Sequence, residues 1–157
     1  WAAAAASWVY NVDLSQGFYL GLFLAILSRE AICDMETGEG TWIGMFLTLI
    51  IAGRYIPQNE SYTWGFIIFL VGLMVLTALT NFMGHADIVS FFAAFSILGV
   101  VGGLLTMFLS SALSLIEIVH RKQKGEEVRG VRMLPYIAVA VVASSAIHPY
   151  LERWLYI

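Results

Sequence analysis

Residues 88–119, IVSFFAAFSILGVVGGLLTMFLSSALSLIEIV, form a run of thirty-two with a single charged side chain, Glu117. About 20 apolar residues suffice to cross a bilayer as a helix, so this run exceeds one crossing and must tilt or project. Its surroundings are similar. The whole chain is 60% hydrophobic and 12% charged over 157 residues, where a soluble domain has roughly 45–50% apolar and about 25% charged residues. A soluble fold of this size has too much surface per volume to hide that apolar area. Lipid is the expected cover.

The pattern predicts an all-α fold. Only helices and closed barrels satisfy the backbone in lipid, and the apolar runs lack strand alternation. We expect a polytopic bundle of four to five membrane helices in one domain, with spans at about 14–32, 41–56, 63–83, 88–119 and 134–151. Segment 1–12, with an alanine run between Trp1 and Trp8, reads as an interfacial helix. Trp42 and Tyr55 sit like interfacial anchors. Pro135 suits a first helical turn, and Pro149 is expected to kink or end the last span.

Lysine and arginine set the expected orientation, because positive loops stay cytoplasmic. Arg121, Lys122, Lys124, Arg129 and Arg132 crowd into one stretch. Five alternating spans then put the N-terminus, 54–62 and 120–133 inside. Segments 29–40 and 84–87 and the C-terminus fall outside. A plasma or bacterial inner membrane is the expected location. The formal charge of −3 speaks against a nucleic-acid partner, which calls for a basic patch. Cys33 is the only cysteine, so no internal disulfide forms.

Ser96, Gly99, Gly103, Thr106, Ser110, Ser114 and Glu117 recur at gaps of three and four, which keeps them on one helical face. In lipid, small residues mark the face where helices approach closely. We expect a helix-packing interface there. The sharper alternative is a polar path ending at Glu117, an ionisable group in an apolar helix. Glu117 also stands four residues before Arg121, the spacing of an ion pair. Arg54 is expected to snorkel to the surface.

The segment NFMGHADIVSFF poses a separate question. Gly84 suits the left-handed position just past a helix end, and Asp87 suits the N-cap of a helix starting at Ile88. GHAD then reads as a tight helical hairpin. A functional reading joins His85 to His148, which has Ser144 and Glu152 one turn to either side, and adds Asp34, Glu36 and Glu39 from the acidic loop. Histidines with carboxylates can take a transition metal, and two histidines on different helices a haem. Neither spacing is diagnostic, so no cofactor is expected. DMETGEG lacks the oxygen ligand and the glycine that a calcium loop needs at its fifth and sixth positions. Nucleotide-binding glycine loops, paired-cysteine motifs, a metalloprotease motif and a nucleophile elbow are all missing.

These observations point to a non-enzymatic membrane subunit of a larger complex, packing through the small-residue face. Its partners would be lipid and other subunits or copies of itself. A small-solute or ion transporter or channel, acting as an oligomer, is the alternative. A haem-binding anchor of an electron-transfer complex, using His85 and His148, is the third.

Overall fold

The computed structural model describes residues 14–38, 40–54, 68, 71, 72, 75, 84–127 and 131–155. It is all-helical, with no strand among the described residues. The helices are α1 (Leu14–Thr37), α2 (Trp42–Arg54), α3 (His85–Gln123) and α4 (Leu134–Leu155). By length and composition α3 is long and apolar enough to cross a membrane; α2 and the part of α4 up to Ile147 are apolar but shorter.

One face of α1 carries the core. Leu20, Phe23, Leu27 and Ala31 are buried at gaps of three and four. They pack with Ile51 and Ala52 of α2, Phe91, Ala94 and Ile97 of α3, and Leu134, Ile137 and Val141 of α4. The same face of α1 continues through Glu30 and Asp34, which are buried too. The helix therefore runs on to Thr37, past the expected end near residue 32, and 29–40 is mostly helix rather than loop.

The expected single span 88–119 is corrected. At Gly99 the backbone leaves the helix, with φ 71° and ψ −177°, a combination open essentially only to glycine. The chain reverses there. The Phe95 ring occupies the space where a Cβ on Gly103 would stand. Bond lengths alone then keep the two Cα atoms within about 7 Å, whereas eight residues of straight helix separate them by about 12 Å. Both ends of α3 also meet the segment before α4. His85 and Asp87 line a cleft with Arg132, and Glu117 and Arg121 line another with the same Arg132. So α3 is a helical hairpin, with a first arm 85–98 and a second arm 100–123. The sequence looked continuous because both arms are apolar, and Gly99 fell into the small-residue stripe.

This reversal changes the arrangement of ends. Tyr19 and Leu22 near the start of α1 share a groove with Ile50 and Arg54 near the end of α2, so these helices are antiparallel. The end of α1, the starts of α2 and α3, the close of the second arm and the start of α4 all gather at one pole. The expectation that 84–87 and 120–133 lie on opposite sides is therefore overturned, and Leu14 and Leu155, the first and last described residues, both lie at the far ends of helices that meet at this pole.

Smaller expectations also shift. Gly84 is not left-handed: it is the N-cap of α3, with φ −68° and ψ 144°. The helix starts at His85, so Asp87 stands in its first turn rather than at the cap. Pro149 does not end α4, which continues to Leu155. Segment 1–12, Tyr55 and most of the expected span 63–83 lie outside the described residues. Within that span Ile68, Val71 and Val75 are helical, exposed and on one face.

Candidate functional site: a carboxyl-lined cleft at the polar pole

Three helices begin at the polar pole, and each start leaves unsatisfied backbone N–H groups and a partial positive charge. Each is met by a carboxylate. For α2 the group is Glu30 of α1. Its Oε2 accepts the Thr41 N–H at 2.5 Å, and its Oε1 accepts from the Thr41 hydroxyl at 2.7 Å and from Arg29 Nη1 at 2.6 Å. Thr41 in turn accepts the Gly44 N–H on its hydroxyl oxygen at 3.1 Å, completing the N-cap. Gly44 is required by proximity, because a Cβ there would overlap the Glu30 carboxyl group. Glu30 is 4% exposed, yet every partner a buried carboxylate needs is present.

For α4 the group is Asp34, one turn after Glu30, which accepts the Leu134 N–H. For α3 it is Asp87, which reaches back to the N–H of Gly84, as a carboxylate in the first turn of a helix does in a capping box. Two acidic residues of α1 thus tie the starts of two other helices to its last turns.

Capping does not account for all of the chemistry. Asp34 is 7% exposed, and its Oδ2 is buried with no hydrogen-bond partner among the described residues. It lines an open cleft of about 510 Å³ together with Asp87, His85, Arg132, Gly40 and Trp42. Both aspartates lie beyond the apolar turns of their helices. Burial pushes the Asp34 carboxyl above its usual range, against the opposing pull of Arg132 and of the Leu134 N–H. Asp87 is pushed up to about 7, first by burial and then by the neighbouring charge of Asp34, with its bond to Gly84 opposing. Two carboxyl groups this close cannot both ionise without penalty, so the pair retains a proton near neutral pH.

The residues expected from sequence are dispersed. Ser96, Gly103, Thr106, Ser110 and Ser114 are buried within the chain, while Gly99 forms the hairpin tip. Thr106 donates to the Gly102 carbonyl at 2.8 Å and Ser114 to that of Ser111 at 2.9 Å, so these hydroxyls are satisfied inside their own arm. Ser96 Oγ and Ser144 Oγ are buried without partners among the described residues. Glu117 is ion-paired with Arg121. His85 is exposed at the cleft. His148 stands fourteen positions beyond Leu134, about 21 Å further along the helix axis. The structure therefore does not bring His85 and His148 together, and the haem pair has no geometric basis. Among the described residues no group of three or more His, Cys, Asp or Glu is placed to hold a metal ion. Asp34 belongs to the last turn of α1, while Glu36 is exposed.

Sequence reasoning missed the pairing of Asp34 with Asp87 and the role of Glu30. A signal existed: Glu30 and Asp34 follow Leu27 at gaps of three and four. They continue the buried face of α1, and a carboxylate on such a face requires a partner. The proximity of Arg132 had no sequence signal, since it depends on the reversal at Gly99.

No family model matches the chain, and no curated protein or solved structure gives a match. The class is set by the fold alone: an all-helical protein, in its described residues, with one helical element long and apolar enough to cross a membrane.

Proposed function

We propose that this chain is a polytopic membrane protein that exchanges protons for a cationic solute at the Asp34–Asp87 cleft, as a transporter or channel. The observation carrying this reading is the buried, unpartnered Asp34 Oδ2 in the wall of an open cleft beside Asp87. A carboxyl pair that holds one proton near pH 7 can release it to water as a cation takes its place.

The outer faces support the membrane part. Ile43, Phe46 and Ile50 of α2, Leu104, Phe108, Leu115 and Ile116 of the second arm, and Val139 and Val142 of α4 are all exposed. Apolar patches of this extent need a cover, and lipid supplies one on every side. The first arm rises only about 21 Å, short of the roughly 30 Å hydrocarbon thickness. With its tip at Gly99, the first arm thus reads as one arm of a re-entrant hairpin. One support of the subunit reading, the small-residue face, is buried within the chain.

The test is reconstitution into liposomes loaded with a pH-sensitive dye. Potassium, tetraethylammonium and spermidine are added in turn under an imposed pH gradient. At least one should move protons faster than in empty liposomes, and Asp87→Asn should abolish the response. Fluxes equal to those of empty liposomes with every cation would defeat the transport reading.

A further inference from the structure

A second opening lies beside the first, on the other side of Arg132. It measures about 600 Å³ and is bounded by Arg121, Arg132, Tyr136, Glu117, Met35 and Val139. Three elements build it: the last turns of α1, the close of the second arm of α3 and the start of α4. Arg121 gives Nη2 to Glu117, but a guanidinium has five donors. Arg132 makes no hydrogen bond or ion pair with any described residue, and neither does the Tyr136 hydroxyl; Arg132 acts on Asp34 only through its field. Donors of two arginines and a phenol therefore line one opening with almost no internal acceptors.

We infer that this opening binds the phosphodiester headgroup of an anionic phospholipid. The planar donor fork of arginine matches phosphate oxygens. The walls argue for a lipid rather than a free phosphate. Met35 and Val139 bound the opening, and the exposed Ile32 and Val142 continue their faces one turn further along α1 and α4. A glycerol backbone and acyl chain would lie along that apolar track while the phosphate meets the arginines. Basic pockets between helices at the cytoplasmic surface are suited to such headgroups. Lys122 and Lys124 add positive charge to the same end of the second arm. The inference rests on the membrane reading but not on cation exchange.

The full chain is purified in a neutral detergent and titrated with dioleoyl phosphatidylglycerol, with dioleoyl phosphatidylcholine and with water-soluble glycerol 3-phosphate. Retained lipid is counted by native mass spectrometry. Saturable retention of one phosphatidylglycerol per chain is expected, with far weaker retention of phosphatidylcholine. Arg121→Gln with Arg132→Gln should weaken it about ten-fold. Lys122→Gln with Lys124→Gln removes the same charge from the same pole and should change it less than about two-fold. If the arginine variant fails to fold, Tyr136→Phe decides, with an expected weakening of about three-fold. Equal losses in the two double variants, equal retention of both lipids, no loss in Tyr136→Phe, or displacement by glycerol 3-phosphate at comparable concentration would each overturn the inference. Sedimentation with membranes is scored separately. A chain that sediments with membranes yet retains no anionic lipid keeps its membrane placement and loses only this site.

Discussion

At the residue scale the polar pole is a problem of charge burial, and its parts are solved unequally. Glu30 has an N–H, a hydroxyl and a guanidinium. Asp34 has an N–H for one oxygen and no partner among the described residues for the other. Asp87 takes up the strain of that arrangement by holding its proton up to about 7. The consequence for stability has a definite sign. Below about pH 4 the group is protonated both folded and unfolded, and it contributes no pH dependence. Between about pH 4 and the folded value of about 7, the unfolded chain releases the proton and the folded chain keeps it, so stability falls as pH rises. Asp87→Asn should remove this slope. Its unfolding free energy in detergent should match wild type near pH 4 and exceed it at pH 8, by at most about 4 kcal/mol at 1.36 kcal/mol per unit. Identical profiles from pH 4 to 8 would show that Asp87 titrates normally. Asn is chosen because it can still accept the Gly84 N–H through its amide oxygen.

At the element scale the decisive event is one glycine. Gly99 turns a 39-residue apolar helix into two arms, and Gly103 lets the Phe95 ring of the first arm lie directly on the backbone of the second. The stripe of small residues was read correctly as a periodic pattern, but a pattern does not say which partner it meets. Here the first arm lies against Gly103, and α3 as a whole packs most extensively on α4. A cross-link tests the hairpin without reference to function. In a Cys33→Ser background, Phe95→Cys with Gly103→Cys should oxidise readily to an intramolecular disulfide, since Cα atoms within about 7 Å can be bridged. A continuous helix holds the same positions about 12 Å apart and could not form it. Persistence of two free thiols after mild oxidation would contradict the hairpin.

At the scale of the whole molecule, the gathering of helix ends regroups the charges. Among the described residues the polar pole receives Arg29, Arg121, Lys122, Lys124 and Arg132, leaving Arg54 and Arg153 for the other side. Relative to the grouping read along the sequence, Arg29 and Arg54 exchange sides. Applied to this grouping, the positive-inside rule makes the polar pole cytoplasmic. On this prediction Cys33, expected outside from sequence alone, is on the cytoplasmic side. A membrane-impermeant maleimide should label Cys33 in inverted vesicles and not in sealed cells. Lys122→Cys in a Cys33→Ser background should behave the same way. Labelling of the two positions from opposite sides would restore the arrangement read from sequence and overturn the fold-back.

Composition and apolar run length by themselves determined that this chain is helical and that one element of it suits a membrane. Those are properties of residues summed over a segment, and they do not depend on what the segment touches. Tertiary structure alone decided that the long run is a hairpin, because glycine permits the reversal without demanding it, and the Phe95 ring on Gly103 and the meeting of both arm ends at Arg132 show that it occurs. It also decided the candidate site. Asp34 and Asp87 are fifty-three positions apart, and each reads locally as an ordinary polar residue near a helix end. Their shared burial, and the proton it retains, arise only where three helix starts converge on the last turns of α1.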